Sequence, residues 1–243
     1  MTKPLHGVLA EAPFMYQVIA DERDFIVINK SAEVHFHSQD GSAGVVAQAE
    51  ADLGIKLYAV HRLDTLTSGL IILAKSSVAA AEFTRMFSAH LVQKYYLALA
   101  KGKPKKKQGW VIGDMAKSRR SMHKLLRSTD NPAITQFFSH SIGEGERLYL
   151  LKPHSGKTHQ LRVALASIGV PILGDTLYGG ESADRGYLHA YSLHFSYQGQ
   201  EYDFTALPTS GQLFQDTAVN QQLSVWQQPH QLTWPTLKKA STS

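Results

Sequence analysis

Short apolar runs bounded by turn residues dominate the chain, and the three-to-four-residue spacing of an amphipathic helix recurs only between them. Tyr16 to Ala20 and Asp24 to Asn29 read as two short strands around an acidic turn, and Ala43 to Leu53 as a helix carrying Val45, Val46 and Ala49. Leu57 to Val60 and Leu70 to Ala74 are aliphatic enough to be buried strands. Ser76 and Ser77 can cap a helix whose Phe83, Met86 and Phe87 share one face, which predicts core packing for all three. Val92 to Ala100 and Gly109 to Gly113 are strand candidates, and Ala133 to His140 pairs with Glu146 to Lys152 across a Gly-Glu-Gly turn. The spacing of Leu161, Leu165 and Ile168 predicts a helix over Thr158 to Ile168, with Arg162 beside the apolar stripe. Tyr187 to Tyr197 and Glu201 to Ala206, split by Gln198-Gly199-Gln200, make a closing hairpin. After Pro208 the chain turns polar and Gln-rich; a helix is expected within 211–230 and a loose tail from Trp234-Pro235 onward. Hairpins mixed with helices argue for an α+β sheet rather than a doubly wound one.

The stretch His61-Arg62-Leu63-Asp64-Thr65-Leu66-Thr67-Ser68-Gly69 interrupts two of these apolar runs with a carboxylate, basic neighbours and hydroxyls. Such groups at a sheet edge must meet partners or water, and loops held by rigid scaffolds are where catalytic residues concentrate. Taken singly, Asp64 reads as an ordinary turn-capping carboxylate, Tyr96 as a half-buried strand aromatic and Arg162 as a solvated helix residue.

Charge sharpens one region. The formal net charge is +5, yet residues 101–127 hold ten Lys and Arg against the single acid Asp114, giving +9 and leaving −4 elsewhere. Two basic clusters flank the Gly109–Gly113 strand, which would let them fold onto one face and hold phosphates; the bland reading is a solvated loop. The 243 residues, 43% hydrophobic, suffice for one substantial core, and with no cysteine there are no disulfides or thiolate metal sites. No apolar run approaches a membrane span or a signal-peptide core, so a cytoplasmic protein is expected.

Other motifs fail on inspection. Gly156-Lys157-Thr158 sits between a strand and a helix like a phosphate loop, but the first glycine of that motif falls on Leu151. His61-Arg62 before Asp64 echoes a kinase catalytic loop with the wrong spacing and no glycine-rich loop. His35 and His37 lack a third metal ligand, so no metal site is expected.

The string from His61 to Gly69 closely resembles the signature of pseudouridine synthases of the RluA type, and further elements follow in that family's order. Lys94-Tyr95-Tyr96 looks like its K-x-Y element. Ser155-Gly156-Lys157-Thr158-His159-Gln160-Leu161-Arg162-Val163 is similar to T-G-R-T-H-Q-L-R-V. Leu173-Gly174-Asp175-Thr176-Leu177-Tyr178-Gly179 and Leu188-His189-Ala190 match the later G-D-x-x-Y-G and L-H-A markers. The resemblance covers roughly residues 15 to 208. It implies a long, bent, mainly antiparallel mixed sheet with flanking helices around a central catalytic cleft.

Within that fold the resemblance makes Asp64 the nucleophile, Tyr96 the ring packed against the target uracil, and Arg162 the partner of Asp64. It divides the chain into an N-terminal extension over 1–14, a catalytic domain over 15–210 and a C-terminal helix and tail over 211–243, with no N-terminal accessory domain. Two departures stand out. Asn29-Lys30-Ser31-Ala32-Glu33 replaces the family's N-K-P-x-G, so a differently shaped turn is expected. Ser155 and Lys157 keep a hydroxyl and a charge where Thr and Arg are usual, which suits phosphate contact better than planar recognition.

The implied reaction turns a uridine of structured RNA, ribosomal or transfer, into pseudouridine by base flipping, with no cofactor and no nucleotide. Asp64 either attacks the nucleoside or takes a ribose proton. Arg62 would fill the space the flipped base vacates, and Lys117, Arg119, Arg120, Lys124 and Lys157 would hold RNA. A monomer is expected. The competing reading is an RNA-binding protein that keeps the scaffold without turnover.

Overall fold

The computed structural model describes residues 14–39 and 41–237. In chain order the elements are β1 (Tyr16–Asp21), β2 (Phe25–Lys30), α1 (Val45–Leu53), β3 (Tyr58–Ala59), β4 (Ser68–Ala74), α2 (Ser77–Ser88), β5 (Gln93–Lys101), β6 (Gln108–Gly113), β7 (Met115–Lys117), β8 (His123–Leu125), β9 (Ala133–Gly143), β10 (Glu146–Pro153), α3 (Gln160–Ser167), β11 (Leu188–Tyr197), β12 (Gln200–Thr205) and α4 (Thr217–Val225). Residues 1–13 of the expected N-terminal extension, and 238–243 of the tail, lie outside the described residues. Among the described residues no helix is long and apolar enough to cross a membrane.

Ten strands form one sheet in the order β1-β2-β4-β11-β5-β10-β9-β6, with β3 added to β4 and β12 to β11. Every pairing is antiparallel except that of β4 with β11, which spans only His189↔Ser68 and Ala190↔Gly69. Beyond those two registers the sheet forks: β3 takes over the edge of β4, and β12 that of β11. Gly69 is required at the fork. Its φ is 114°, and a Cβ there would lie 2.2 Å from the Ala190 carbonyl oxygen.

The uninterrupted apolar runs of β2 and β4 have a simple cause, since both faces are covered. Phe25, Val27, Leu70 and Ile72 pack with Phe83 and Met86 of α2, whereas Ile26, Ile28, Ile71 and Leu73 pack with Val45 and Ala49 of α1. Ser76 caps α2 by accepting the Ala79 N–H. A third cluster joins β5, β9 and β10 to α3 and α4.

Several sequence expectations need correction. Leu57–Val60 gives only a two-residue strand, because β4 offers it just Leu73 and Ala74 as partners. Phe87 packs against the same core cluster as Phe83 and Met86 but is only half-buried, its ring tilted over His61 with ring centres 4.5 Å apart. The region 211–230 is not one helix. It is a 3₁₀ turn (Gln212–Gln215), α4 and a second 3₁₀ turn (Pro229–Gln231), broken where the Asp216 carboxylate caps α4 through the Ala218 N–H.

The start of the tail is not loose either. Trp234 packs on Tyr95 and Phe138, and the Pro235 carbonyl accepts from Trp110 Nε1 and Gln136 Nε2 at 2.8 and 2.9 Å. The two basic clusters lie at opposite ends of β6. Lys101–Lys107 precede β6 and the cations from Lys117 to Arg127 follow it, so about 20 Å of strand separates them. Lys101 is also paired with Glu181 at 2.9 Å.

Candidate active site

Asp64 sits in the turn that feeds β4 into the fork. The Thr67 N–H donates to the Asp64 carbonyl at 3.0 Å, closing a four-residue turn whose side chain faces outward. Two groups fix this turn from beneath. Lys30 is fully buried and donates to the carbonyls of Ser31, Val34 and Thr65 at 2.9, 2.8 and 3.2 Å. His61 accepts the Ile72 N–H at 2.9 Å, and desolvation followed by the Lys94 charge lowers its pKa to about 3, so it serves as a neutral strut. The departure at 31–33 is absorbed locally: Glu33 itself takes the left-handed conformation, φ 59°, that a glycine would favour.

Tyr96 comes from the other side of the fork, on β5 opposite Ala190, where β11 carries a bulge between Ala190 and Ser192. The bulge inserts Tyr191 and leaves Tyr95 and Tyr96 to opposite uses. Tyr95 is buried beneath Trp234, and Tyr96 lines the cleft. Burial first, and the Asp64 charge second, push the Tyr96 phenol well above its ordinary pKa, so it is neutral and can donate a hydrogen bond.

Arg162 reaches the site from α3 and is buried rather than solvated. Its Nε and Nη2 clasp Asp175 at 2.7 and 2.8 Å, while Nη1 stands 3.4 Å from Asp64 Oδ2. The guanidinium also lies over the Tyr178 ring at 5.0 Å. The two carboxylates are thus in different situations: the Asp175 side chain is 2% exposed and that of Asp64 is 22% exposed. Asp175 holds the arginine, and Asp64 is left open to a ligand. His159, the left-handed residue at the start of α3, adds a second nitrogen, with Nε2 3.9 Å from Asp64 Oδ2.

These groups line one cleft of about 450 Å³, within the usual range for a small-ligand site. Asp64, Tyr96, Arg162, Arg62 and Lys157 all border it. Arg62 is exposed at its rim, and Lys157 donates to Asn131 Oδ1 at 2.9 Å. Ser155 is committed internally, accepting from the Ile134 N–H and donating to Gln160 Oε1, so its hydroxyl is not free for a ligand. Lys117, Arg119, Arg120 and Lys124 do not line the cleft. They project from the β7–β8 hairpin, exposed and with no carboxylate within 4.0 Å among the described residues.

Asp175, Tyr178 and His159 carry no signal of a role in the sequence, because what they do depends on partners that folding brings to them. Among the described residues one other cluster has metal-ligand chemistry, His194, Asp203 and His230. Its two imidazoles are stacked with planes 3° apart and centres 4.3 Å apart. An ion lies in the plane of each ring it binds, and two stacked parallel planes share no such point. The cluster docks the second 3₁₀ turn on β11 and β12.

The family model for RNA pseudouridylate synthase matches residues 24–167. An RNA pseudouridine synthase of Haemophilus influenzae, itself uncharacterised, is 48% identical over 226 residues, covering 92% of this chain and 99% of that protein. The ribosomal large subunit pseudouridine synthase C of Rickettsia bellii is 34% identical over 174 residues, 68% of this chain and 57% of its own length. Among solved structures, human RNA pseudouridylate synthase domain containing 1 superposes with a TM-score of 0.68 at 26% identity, covering 79% of this chain and 82% of that one.

Proposed function

The chain belongs to the RluA-type RNA pseudouridylate synthases, a family of isomerases, and on that premise we propose that it converts specific uridines of structured ribosomal or transfer RNA to pseudouridine with Asp64 as nucleophile. The observation that carries the reading is the meeting of Asp64, Tyr96 and Arg162, from a turn, a strand and a helix, around one cleft. The naming of the Rickettsia relative for the large ribosomal subunit favours ribosomal RNA as the first substrate to try.

The reaction breaks the C1′–N1 bond, turns the uracil, and forms C1′–C5. The proton on C5 leaves and N1 ends protonated, so nothing is added and no redox partner is needed. The target base must leave its stack to enter the cleft. Arg62, exposed at the rim, occupies the vacated stack, and Tyr96 supplies a ring face that accepts the uracil before and after it turns. The neutral Tyr96 hydroxyl then has a proton to share with the base rather than a charge to offer. Arg162, immobilised by Asp175, orients Asp64 as it attacks the nucleoside or takes the ribose proton.

Outside the cleft, Lys157 and the cations of the β7–β8 hairpin, Lys117, Arg119, Arg120 and Lys124, hold phosphates and set the register of the RNA. The protein acts as a monomer and without a cofactor.

Asp64→Asn tests the reading, since it keeps shape and removes charge. RNA labelled with tritium at uracil C5 is expected to release it with the wild type and not with the variant, at similar RNA affinity. Substantial release by Asp64→Asn would transfer the nucleophile's role elsewhere. A wild type that binds RNA and releases nothing would make the chain a non-catalytic RNA-binding protein on this scaffold.

A further inference from the structure

Behind Asp64 lies a line of polar groups with no direct part in the bond changes at the uridine. The backbone N–H of His123 on β8 donates to Tyr178 Oη at 2.8 Å. Tyr178 Oη is 2.9 Å from His159 Nδ1, and His159 Nε2 is 3.9 Å from Asp64 Oδ2. The four groups come from the hairpin, from the turn after Asp175, from the start of α3 and from the nucleophile loop.

The available partners select a direction for this line. The Tyr178 oxygen accepts from His123, and among the described residues the acceptor at bonding distance for its own proton is His159 Nδ1. Desolvation first, then the charges of Arg162 and His123 against the opposing pull of Asp64 and Asp175, lower the pKa of His159, leaving a neutral ring whose tautomer is open to choice. If Nδ1 accepts, the proton resides on Nε2, which faces Asp64. The reverse tautomer would aim a lone pair at a carboxylate and leave the Tyr178 proton without this acceptor. Both ends of the ring select the same state.

We propose that His123 N–H, Tyr178 and His159 form a directed relay that holds His159 as the Nε2–H tautomer and presents a second donor, beside Arg162, to the Asp64 carboxylate. Tyr178 and His159 are therefore positioning residues for the nucleophile. Between Nε2 and Oδ2 the gap is longer than a hydrogen bond, as such contacts often are before substrate closes the site. Two donors from different directions fix the carboxylate's rotation, which Arg162 alone does not. Because the relay starts at a backbone N–H of β8, the hairpin that carries Arg119 and Arg120 is linked by hydrogen bonds to His159, the neighbour of Asp64.

The catalytic consequence rests on the pseudouridine synthase reading, but the tautomer does not, and two measurements keep them apart. Long-range proton–nitrogen correlation of the ¹⁵N-labelled full-length protein reports which ring nitrogen of His159 is protonated, with no RNA present. The wild type is expected to carry the proton on Nε2, and Tyr178→Phe, which keeps the ring over Arg162 and loses only the hydroxyl, is expected to shift it toward Nδ1. A wild-type ring protonated on Nδ1 overturns the proposal.

In single-turnover tritium release at saturating enzyme, with C5-labelled ribosomal and transfer RNA from cells lacking this gene, Tyr178→Phe should be slower by roughly 10- to 100-fold at unchanged RNA affinity. An equal rate overturns the positioning role. Should Tyr178→Phe fail to fold, His159→Gln against His159→Ala decides, since Gln retains an N–H donor and should recover part of the rate that Ala loses; equal rates for the two overturn the proposal. A wild type that releases no tritium removes the enzymatic reading while the tautomer result stands.

Discussion

Lys30 shows what holding the Asp64 turn costs at the scale of one residue. Burial, opposed by Glu33 and Asp64 and reinforced by Arg185, lowers its pKa from 10.5 to about 8. The unfolded chain therefore holds this proton up to about pH 10.5 and the folded chain only to about pH 8. Below pH 8 both states are charged and the folded one bears the full net penalty of the buried charge, about 3 kcal/mol. Between pH 8 and 10.5 the penalty is progressively relieved, so this group alone makes stability rise with pH. Lys30→Met should abolish that rise while leaving three carbonyls unpaired, and urea unfolding at pH 7 and pH 9.5 measures it. A wild type and variant with parallel pH profiles would contradict the assignment. Above pH 8 the neutral amine has two protons for three carbonyls, and the Asp64 turn loses an anchor. Asp64, Tyr96 and Arg162 were legible in the sequence because their motifs name chemically active residue types. Asp175, Tyr178 and Lys30 were not, because each owes its role to atoms that only folding brings near.

The β7–β8 hairpin sets the corresponding question for an element. Arg120 and Ser121 form its tip with φ of 54° and 60°, and the Met122 N–H returns to the Arg119 carbonyl at 3.1 Å, a tight hairpin turn built without glycine. Lys117 lies opposite His123 and Lys124 opposite Ala116, so these two lysines point to opposite faces of the ribbon. Charge on both faces and at the tip suits a finger flanked by phosphates better than a flat pad. Neutralising Lys117, Arg119, Arg120 and Lys124 should weaken RNA binding and flatten its salt dependence, by about 0.7 to 0.9 in the slope of log K against log salt per lost contact. Single-turnover chemistry at saturating RNA should change far less. An unchanged slope in the salt titration would leave the hairpin as a solvated projection. Strands covered on both faces, such as β2 and β4, were readable as apolar runs, and Ser76 announced α2. The splitting of 211–230 had its signals in Asp216 and Pro229, but a Gln-rich stretch with weak periodicity gave them nothing to interrupt. The separation of the two basic clusters depends on the direction of β6, which composition does not encode.

For the whole molecule, the C-terminal segment is structural. Phe214, Val219, Leu223 and Trp226 enter the core with β5 and β10, and Trp234 stacks on Tyr95 with its Nε1 donating to the Pro229 carbonyl at 2.8 Å. Trp234→Ala should cost about 2 to 4 kcal/mol in urea unfolding. A change below about 0.5 kcal/mol, the range of surface substitutions, would return this segment to the status of a tail. The fork in the sheet has a consequence of a different kind. Asp64 and Arg162 are 98 residues apart, and the Ser68–Gly69 end of β4 acquires its second neighbour only when β11 has been made. Until the ribosome has added β11, the nascent chain would carry the Asp64 turn beside an edge of β4 that β3 covers only at Leu73 and Ala74. The cleft around Asp64 is therefore among the last features of this protein to come into existence, and the half-built chain presents the open end of β4 for as long as synthesis delays the strand that closes it.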